Sequence, residues 1–376
     1  MTARCVELRE IRLPLVTPFR TSFGVQTARR ILLVRAEVQR EGQVVEGWGE
    51  CVAPDEPTYS AEYVDGAVLV IREQLAPRLG AVAQAADVAS SLVDVKGHPM
   101  AKAALEMAVL DAELRADGRS FADLLGATAE RIPSGVSVGI HDSIAELERA
   151  VAGYLDDGYV RIKLKIEPGW DLEPVAAIRR LIGPDALLQV DANTAYGRDD
   201  LDHLCRLDEF GLLLIEQPLP EDDLLGHAAL AGASSTPICL DESITSVTTV
   251  IDAIDVGACE VANIKAGRVG GYLTAVAIHD ACRDRDIPVW CGGMLETGIG
   301  RSANAALAAL DGFTLPGDVS ASRRFYARDI ITKPIEVVDG HVAVPTGPGF
   351  GFELDRQFLD EVTVEVHDLS RNAPGQ

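Results

Sequence analysis

Between residues 160 and 265 the chain repeats one pattern, in which a short apolar run ends in a charged residue. From Lys165 onward these charged positions recur every 24 to 26 residues. One strand, one helix and their two loops occupy roughly 25–30 residues in βα folds. The pattern therefore predicts successive βα units, each with a charged residue at the C-terminal tip of a buried parallel strand. These residues are Lys163, Lys165, Asp191, Glu216, Asp241 and Lys265.

Similar units extend this pattern toward both ends of the chain. Strands are predicted at 134–140, 160–166, 287–290 and 312–315, and helices at 144–155, 199–210, 271–284 and 300–310. Roughly seven or eight βα units are too many for a fold built on hairpins. We predict an α/β barrel or a closely related α/β sheet, in which the strand tips face one mouth.

The first part of the chain has a different pattern. Residues 4–14, 31–38 and 44–52 alternate between apolar and polar side chains, which is typical of an antiparallel meander. A polar, glycine-containing loop is predicted at 16–27, and an amphipathic helix at 100–117. A small α+β domain is therefore expected ahead of the barrel.

Strand and turn patterns return from about residue 331, and we expect this segment to rejoin the first domain. The resulting division is 1–126, 127–325 and 326–376. The tail from Ser370 to Gln376 is predicted to be disordered.

Composition excludes several classes of protein. A net charge of −24 argues against binding to nucleic acid or to an anionic membrane surface. No apolar run approaches the roughly 20 residues that span a bilayer, and the charged N-terminal residues are not typical of a signal peptide. Seven cysteines, an odd number without a CxxC pair, indicate buried thiols and a cytoplasmic location.

Three of the strand-end residues, Asp191, Glu216 and Asp241, are carboxylates that follow apolar runs. A carboxylate buried there without a partner would carry a large desolvation penalty, which a metal ion removes. Three oxygen donors favour Mg²⁺, or Mn²⁺, over Zn²⁺. Alternatively, each acid caps the next helix or pairs with a basic residue. The equal spacing of all three favours the metal.

Lysines flank these carboxylates. Lys163 and Lys165 lie two apart on one strand and face the same side, and Lys265 would lie across the mouth of a closed barrel. In a dry pocket the pKa of a lysine falls, so that it can act as a base. Two opposed lysines could remove and return a proton at one carbon, with the metal stabilising the enolate. The alternative is that each lysine is an ion-pair partner.

Several short motifs occur along the chain. They are Lys163-x-Lys165, Asp191-Ala-Asn193, Glu216-Gln-Pro218, Asp241-Glu-Ser243, Asn263-Ile-Lys265, the segments 292–301 and 317–322, and Gly47-Trp-Gly-Glu50. Together these motifs resemble those of the enolase superfamily, in its muconate lactonizing enzyme subgroup. More narrowly, they resemble the o-succinylbenzoate synthase / N-acylamino acid (N-succinylamino acid) racemase family, and the resemblance covers nearly the whole chain.

The resemblance implies a modified TIM barrel, (β/α)7β, with an α+β capping domain built from the N-terminus and the C-terminal tail. It implies Mg²⁺ on Asp191, Glu216 and Asp241, with Lys165 and Lys265 as the acid/base pair. A mobile lid would come from the predicted loop 16–27 of the capping domain.

The expected substrate contacts are less specific. Asn193 touches the substrate or only orders its loop, and Ser137 contacts the substrate or is a satisfied hydroxyl inside the barrel. Glycines at 292–293 allow a ligand to approach backbone N–H groups, or form a tight turn. The full set is Lys163, Ser137, Asn193, Gly293, Met294, Phe19 and Phe23.

Two reactions on a small carboxylate substrate follow from the resemblance. One is dehydration to o-succinylbenzoate for menaquinone biosynthesis, with Lys165 as base and Lys265 making a cation–π contact. The other is racemisation of N-acylamino acids, which needs both lysines. A muconate-type cycloisomerase or a dipeptide epimerase is an alternative within the superfamily. More remote alternatives are a Schiff-base lysine aldolase and a non-catalytic metal-binding barrel. A homo-oligomer is expected.

Overall fold

The computed structural model describes residues 2–370. Its first sheet is the predicted antiparallel meander of β1 (Thr2–Thr21), β2 (Gly24–Arg40) and β3 (Gln43–Cys51). The turn between β2 and β3 contains Glu41 and Gly42, both with positive φ. Two consecutive residues with positive φ form the hairpin turn whose twist matches the flanking strands.

The structure corrects the predicted loop at residues 16–27. β1 continues to Thr21 and β2 begins at Gly24, so that this segment is the end of a long hairpin with its tip at residues 22–23. Thr21 pairs with Gly24, and Phe19 pairs with Gln26. Phe19 and Thr21 are both buried, and this alternation is typical of a strand. The polar composition of the segment hid that pattern.

Four helices follow this sheet along the chain. They are α1 (Val64–Val70), α2 (Val88–Ser91), α3 (Pro99–Ala116) and α4 (Phe121–Leu125). Two of them, α1 and α3, pack against the sheet. The helix predicted at 100–117 is α3, and it lies directly on β3. A Cβ added to Gly47 would lie 2.3 Å from the carbonyl oxygen of Ala108, so this close approach requires glycine.

A second sheet has seven parallel strands, ordered as in the sequence from β5 to β11. The short β4 precedes them. Strands alternate with helices, as predicted, because each parallel pair needs a crossover. The strands are β4 (Arg131–Pro133), β5 (Gly135–Val138), β6 (Arg161–Lys165), β7 (Leu187–Asp191), β8 (Ile215–Glu216), β9 (Ile238–Leu240), β10 (Val261–Ile264) and β11 (Val289–Cys291).

The helices between these strands are α5 (Ile144–Asp156), α6 (Leu172–Ile182), α7 (Leu201–Leu204), α8 (Leu224–Ala233), α9 (Val247–Asp255), α10 (Tyr272–Arg283) and α11 (Gly298–Leu307). The helix expected at 199–210 is α-helical over four residues only and continues as a 3₁₀ helix at Cys205–Phe210. The other predicted helices of this region lie within a few residues of their expected positions.

The strand predicted at 312–315 is not a regular strand. Residues 313–318, called here the closing segment, instead bridge the two edges of the sheet. The amide of Gly135 donates to the carbonyl of Gly317 at 2.8 Å, and the amide of Asp318 donates to the carbonyl of Cys291 at 2.8 Å. Pro316 lacks an amide hydrogen and interrupts a regular ladder. The closing segment thus occupies the eighth position of the barrel, between β11 and β5.

The last part of the chain contains β12 (Val337–Val338), β13 (His341–Ala343), α12 (Arg356–Val362) and β14 (Thr363–Asp368). β14 pairs with β1 and returns the chain to the first sheet. β12 and β13 do not, because β13 pairs with β4 in a separate three-stranded sheet. Of the tail predicted to be disordered, residues 371–376 lie outside the described residues.

The seven cysteines all lie within the described residues as free thiols, six of them buried. Among the helices of residues 2–370, none is long and apolar enough to cross a membrane.

Candidate active site

The register of the barrel sheet brings the predicted charged residues to one level. Lys165 at the end of β6 pairs with Asp191 at the end of β7, and Asp191 pairs with Glu216 at the end of β8. Asp241 directly follows β9, and Lys265 directly follows β10. The three carboxylates have no solvent exposure. They can be buried there because cationic side chains surround them.

Lys165 lies between a carboxylate and an amide. Its Nζ is 2.5 Å from Oδ2 of Asp191 and 2.7 Å from Oδ1 of Asn193. The Asn193 amide in turn donates to Oε1 of Glu242 at 2.9 Å. Asn193 has φ of 42°, a left-handed conformation that asparagine tolerates better than most residues. Asn193 therefore both shapes the loop after β7 and contacts a predicted acid/base residue.

Lys265 has a more strongly charged environment. Its Nζ is 2.7 Å from Oδ2 of Asp241 and 3.2 Å from the hydroxyl of Tyr59, and it lies 5.4 Å from the centre of the Tyr59 ring. Oδ1 of Asp241 accepts a hydrogen bond from Arg268. A Cβ added to Gly292 would lie 2.8 Å from Cε of Lys265, so glycine leaves room for this side chain.

The pKa of Lys265 differs in direction from the sequence-based expectation. Burial by itself lowers the pKa of a lysine. Here Asp241, followed by Tyr59, outweighs burial and raises the pKa of Lys265 well above its usual value. The ion pair stabilises the ammonium form, because the carboxylate partner is itself buried and poorly solvated.

Lys163 contacts three carboxylates. Its Nζ lies 2.7 Å from Asp318, 3.0 Å from Glu216 and 3.1 Å from Asp191. It also lies 4.7 Å from the centre of the Trp290 ring. Burial opposes the charge, but Asp318 and Glu216 raise the pKa of Lys163 above its ordinary value. Lys163 is therefore a fixed positive charge at the mouth.

The three strand-end carboxylates have unequal proton affinities. Burial would raise the pKa of Asp191, but Lys165 and Lys163 lower it to about 2. Burial also opposes ionisation of Asp241, and Arg268 and Lys265 lower its pKa. Burial and the charge of Asp191 raise the pKa of Glu216 well above its usual value. Negative charge is therefore incompletely compensated at Glu216, the middle of the three.

This donor set fits a hard divalent cation. The three carboxylates lie on neighbouring strands, are buried, and repel one another, and their oxygens are the ligands that Mg²⁺ prefers. Lysine, arginine and amide groups bind these oxygens in the present structure. The ligand oxygens of the three carboxylates therefore do not all lie within 4.8 Å of one another. Among the described residues, a cluster of possible ligand atoms within 4.8 Å of one another is formed instead by Glu10, Glu365 and His367, on β1 and β14. Glu10 is already paired with Arg30 at 2.5 Å.

The hairpin of the first domain reaches over the barrel mouth. Phe19, Phe23 and Tyr59 line a cavity of about 70 Å³ together with both lysines. The Phe23 and Tyr59 rings lie 5.3 Å apart. A second cavity of about 50 Å³ continues from the same lysines toward Ser137 and the closing segment. The remaining predicted contacts, Lys163, Asn193, Gly293 and Met294, line one or both of these cavities.

Comparison with known families gives a clear assignment. Residues 4–126 match the family described as mandelate racemase / muconate lactonizing enzyme, N-terminal domain, and residues 146–358 match that described as enolase C-terminal domain-like. The chain belongs to the enolase superfamily. The predicted fold class, a barrel with an α+β capping domain, is thereby confirmed.

Two curated relatives of this enolase-superfamily chain cover almost all of it. A protein from an Amycolatopsis species named N-succinylamino acid racemase is 61% identical over 95% of this chain and 96% of its own length. A protein from Geobacillus stearothermophilus named o-succinylbenzoate synthase is 44% identical over 98% of each chain. The narrower family resemblance is therefore also confirmed.

A solved structure supports the same placement. It is an enolase-superfamily member from Listeria innocua, 40% identical in sequence, with a TM-score of 0.92. The match covers 98% of this chain and all of the other.

Sequence reasoning gave no role to several residues at this superfamily site, among them Arg268, Glu242, Asp318 and Tyr59. Arg268 and Glu242 lie within three positions of predicted residues and could have been suspected for that reason. Asp318 lies in a quoted motif, although no role was given to it. Tyr59 lies in an irregular segment of the first domain and carries no local signal. Its position becomes apparent only when the two domains are packed together.

Proposed function

We propose that this protein is an o-succinylbenzoate synthase and N-succinylamino acid racemase, which removes the proton α to a carboxylate. One observation carries the proposal. Lys165 on β6 and Lys265 after β10 are four strands apart in a closed barrel, and both line the same cavity. Proton transfer between the two faces of one carbon needs two opposed lysines, one as the neutral amine that accepts a proton and the other as the ammonium ion that donates one. The names of the two relatives supply the substrate class.

Asp191, Glu216 and Asp241 are proposed to hold Mg²⁺, with Mn²⁺ as a possible substitute. Their burial on three neighbouring strands and the raised pKa of Glu216 support this assignment. When bound there, Mg²⁺ would supply positive charge that stabilises negative charge on the substrate carboxylate. Lys163 adds a second positive charge beside the same carboxylates.

In racemisation, the Nζ atom of one lysine accepts the α-proton and the Nζ atom of the other donates a proton to the opposite face of that carbon. In the syn dehydration, Lys165 removes the α-proton and returns it to the hydroxyl group that departs from the same face, so that the C–O bond breaks and water leaves. Lys265 supplies positive charge over the substrate ring without transferring a proton. The hairpin residues Phe19 and Phe23 close the site and limit water around the lysines. Both reactions therefore use the same pocket.

The test is α-hydrogen exchange in deuterium oxide with N-succinylamino acids, followed by NMR, beside a direct assay of o-succinylbenzoate formation. We expect exchange from both enantiomers, loss of exchange with a chelator, and recovery with Mg²⁺. The proposal would be overturned if no N-acylamino acid of a panel exchanged its α-hydrogen and no o-succinylbenzoate formed in the direct assay. Borohydride treatment serves as a control, and a covalent lysine adduct would indicate the aldolase alternative instead.

Other properties belong to the same proposal. We infer a capping domain over 1–126 and 326–376, a catalytic domain over 127–325, a cytoplasmic location, a role in menaquinone biosynthesis and a homo-oligomeric state. Light scattering of the purified protein tests the last of these.

A further inference from the structure

Three polar side chains whose unpaired atoms are buried meet at one wall of the second cavity. We call Ser137, Arg301 and Ser320 the polar wall. All three line the cavity that also contains both predicted acid/base lysines. Ser137 Oγ, Ser320 Oγ and Nη2 of Arg301 are buried and have no hydrogen-bond partner among residues 2–370. Buried donors are nearly always paired in proteins, so three unpaired ones around one cavity indicate a ligand.

The polar wall is built into the fold. Arg301 on α11 is 2% exposed, and Ser320, two residues after the closing segment, is 3% exposed. Nη1 of Arg301 donates to the carbonyls of Ser320 and Ala321 at 3.1 and 2.7 Å, which fixes one branch of the guanidinium and leaves Nη2 free. The guanidinium also lies 5.0 Å from the centre of the Phe325 ring. These contacts hold a positive charge in place at low entropic cost.

Charge at this wall favours an anion. Two carboxylates, Glu296 and Asp318, also line the cavity. Asp318 is paired with Arg161 at 2.8 Å and with Lys163 at 2.7 Å. Glu296 accepts hydrogen bonds from the amide of Met294 at 2.8 Å and from Asn304 at 3.0 Å. The guanidinium of Arg301, by contrast, faces no carboxylate partner within the described ion pairs.

The position of the polar wall defines what it can bind. In the barrel order, the carboxylates Asp191, Glu216 and Asp241 belong to β7, β8 and β9. The closing segment and β5 occupy the opposite side, where the polar wall is formed by Ser137 on β5, Ser320 just after the closing segment and Arg301 on α11. The two lysines on β6 and β10 lie between these sides. A substrate whose reacting carboxylate lies at β7–β9 therefore extends across the lysines toward Ser137 and Ser320.

We propose that the polar wall binds a second carboxylate on the substrate, at the far end of its acyl chain. This inference rests on the proposed function, because a succinyl group carries such a carboxylate in both reactions. Arg301 would donate a charge-assisted hydrogen bond and the two serines would donate neutral ones. The site would thereby select dicarboxylates over substrates with a neutral acyl group.

The first experiment uses the wild-type protein with Mg²⁺. Calorimetry measures the Kd of o-succinylbenzoate and of its analogue in which the succinyl carboxylate is a primary amide. We expect the dicarboxylate to bind at least about tenfold more tightly, the effect of one hydrogen bond to a charged group. Equal Kd values would overturn the inference.

The second experiment uses Ser320→Ala, with Ser134→Ala as its matched control. Ser134 is also fully buried, but its hydroxyl already donates to the carbonyl of Val319 at 2.8 Å, and it does not line the cavity. Ser320→Ala should reduce the ratio of the two Kd values by about threefold to tenfold. Ser134→Ala should keep the wild-type ratio. The same loss in both variants would indicate a general packing effect and contradict the assignment.

Binding and proton exchange are measured separately so that the two proposals can fail separately. Selective binding of the dicarboxylate without α-hydrogen exchange in any substrate would reject the proposed function and retain the polar wall as a carboxylate site. Exchange that is equally fast with N-succinyl and N-succinamoyl amino acids, together with equal Kd values, would reject the polar wall alone. Arg301→Lys, which keeps the charge, should retain part of the preference, whereas full wild-type preference in Arg301→Met would exclude this arginine.

Discussion

The two lysines that face each other across the barrel have different surroundings. Lys165 contacts Asp191 and the neutral amide of Asn193, which Glu242 holds in place. Lys265 contacts Asp241, which Arg268 also binds, and it lies against Tyr59. One lysine is therefore oriented by an amide relay and the other by a network of charges and a ring.

Because of this difference, a substrate bound between the two lysines would have a different acid/base environment at each face. A one-base reaction needs only one lysine to move a proton, whereas racemisation needs both. The charged network around Lys265 suits a group that can remain an ammonium ion, as the dehydration requires. The relay at Lys165 suits a group that exchanges its proton in both reactions. Substitution on each side should separate the two activities.

The largest effect is expected on replacing either lysine. Lys265→Ala should abolish racemisation, a loss of about 10³-fold or more, and remove exchange from one enantiomer. Lys165→Ala should remove exchange from the other enantiomer and also stop dehydration. Exchange in deuterium oxide, measured for each enantiomer, distinguishes the two variants. Full racemase activity in Lys265→Ala would refute its assignment.

Asp241→Asn should weaken Mg²⁺ binding by about tenfold or more, because one anionic oxygen donor is lost. It also removes the partner that raises the pKa of Lys265. Calorimetric titration with Mg²⁺ measures the first effect. Asp208→Asn is a suitable control, since Asp208 hydrogen-bonds Ser234 and Thr236 away from the strand ends. Unchanged Mg²⁺ affinity in Asp241→Asn would exclude it from the ligand set.

Glu242→Ala should impair the Lys165 side specifically. Without Glu242, the Asn193 amide loses its acceptor and no longer holds Lys165 in one orientation. The rate of α-hydrogen exchange from the enantiomer that Lys165 deprotonates is therefore expected to fall by about tenfold. Glu242→Gln keeps an oxygen at that position and should restore most of the rate. Equal losses for both enantiomers would show that Glu242 does not act through Asn193.

The smallest effect is expected from Tyr59→Phe. This change keeps the ring beside Lys265 and removes the hydroxyl that contacts it and Arg268. Racemisation should slow by about threefold to tenfold, the effect of one hydrogen bond, while dehydration changes less. Steady-state rates for both reactions test this. A larger loss of dehydration than of racemisation would reverse the roles assigned to the two sides.

Much of the barrel was predictable because its signal is local. Apolar runs that end in Asp191, Glu216 and Asp241 recur at the length of one βα unit, and the structure places these residues at adjacent strand ends. The hairpin at 16–27 was missed because its alternation is mostly between polar residues. The strand at 312–315 was overpredicted because Pro316 and the glycines around it replace a regular ladder with single bridges.

The amino-acid sequence by itself determined the order of strands and helices and the type of residue at each strand end, because both depend on spacing along the chain. Tertiary structure alone decided which carboxylate pairs with which lysine, that Tyr59 reaches Lys265, and that Ser137, Arg301 and Ser320 meet at one wall. These contacts join residues up to about 200 positions apart. Local pattern cannot encode them, since they depend on how the first domain and the closing segment pack onto the barrel.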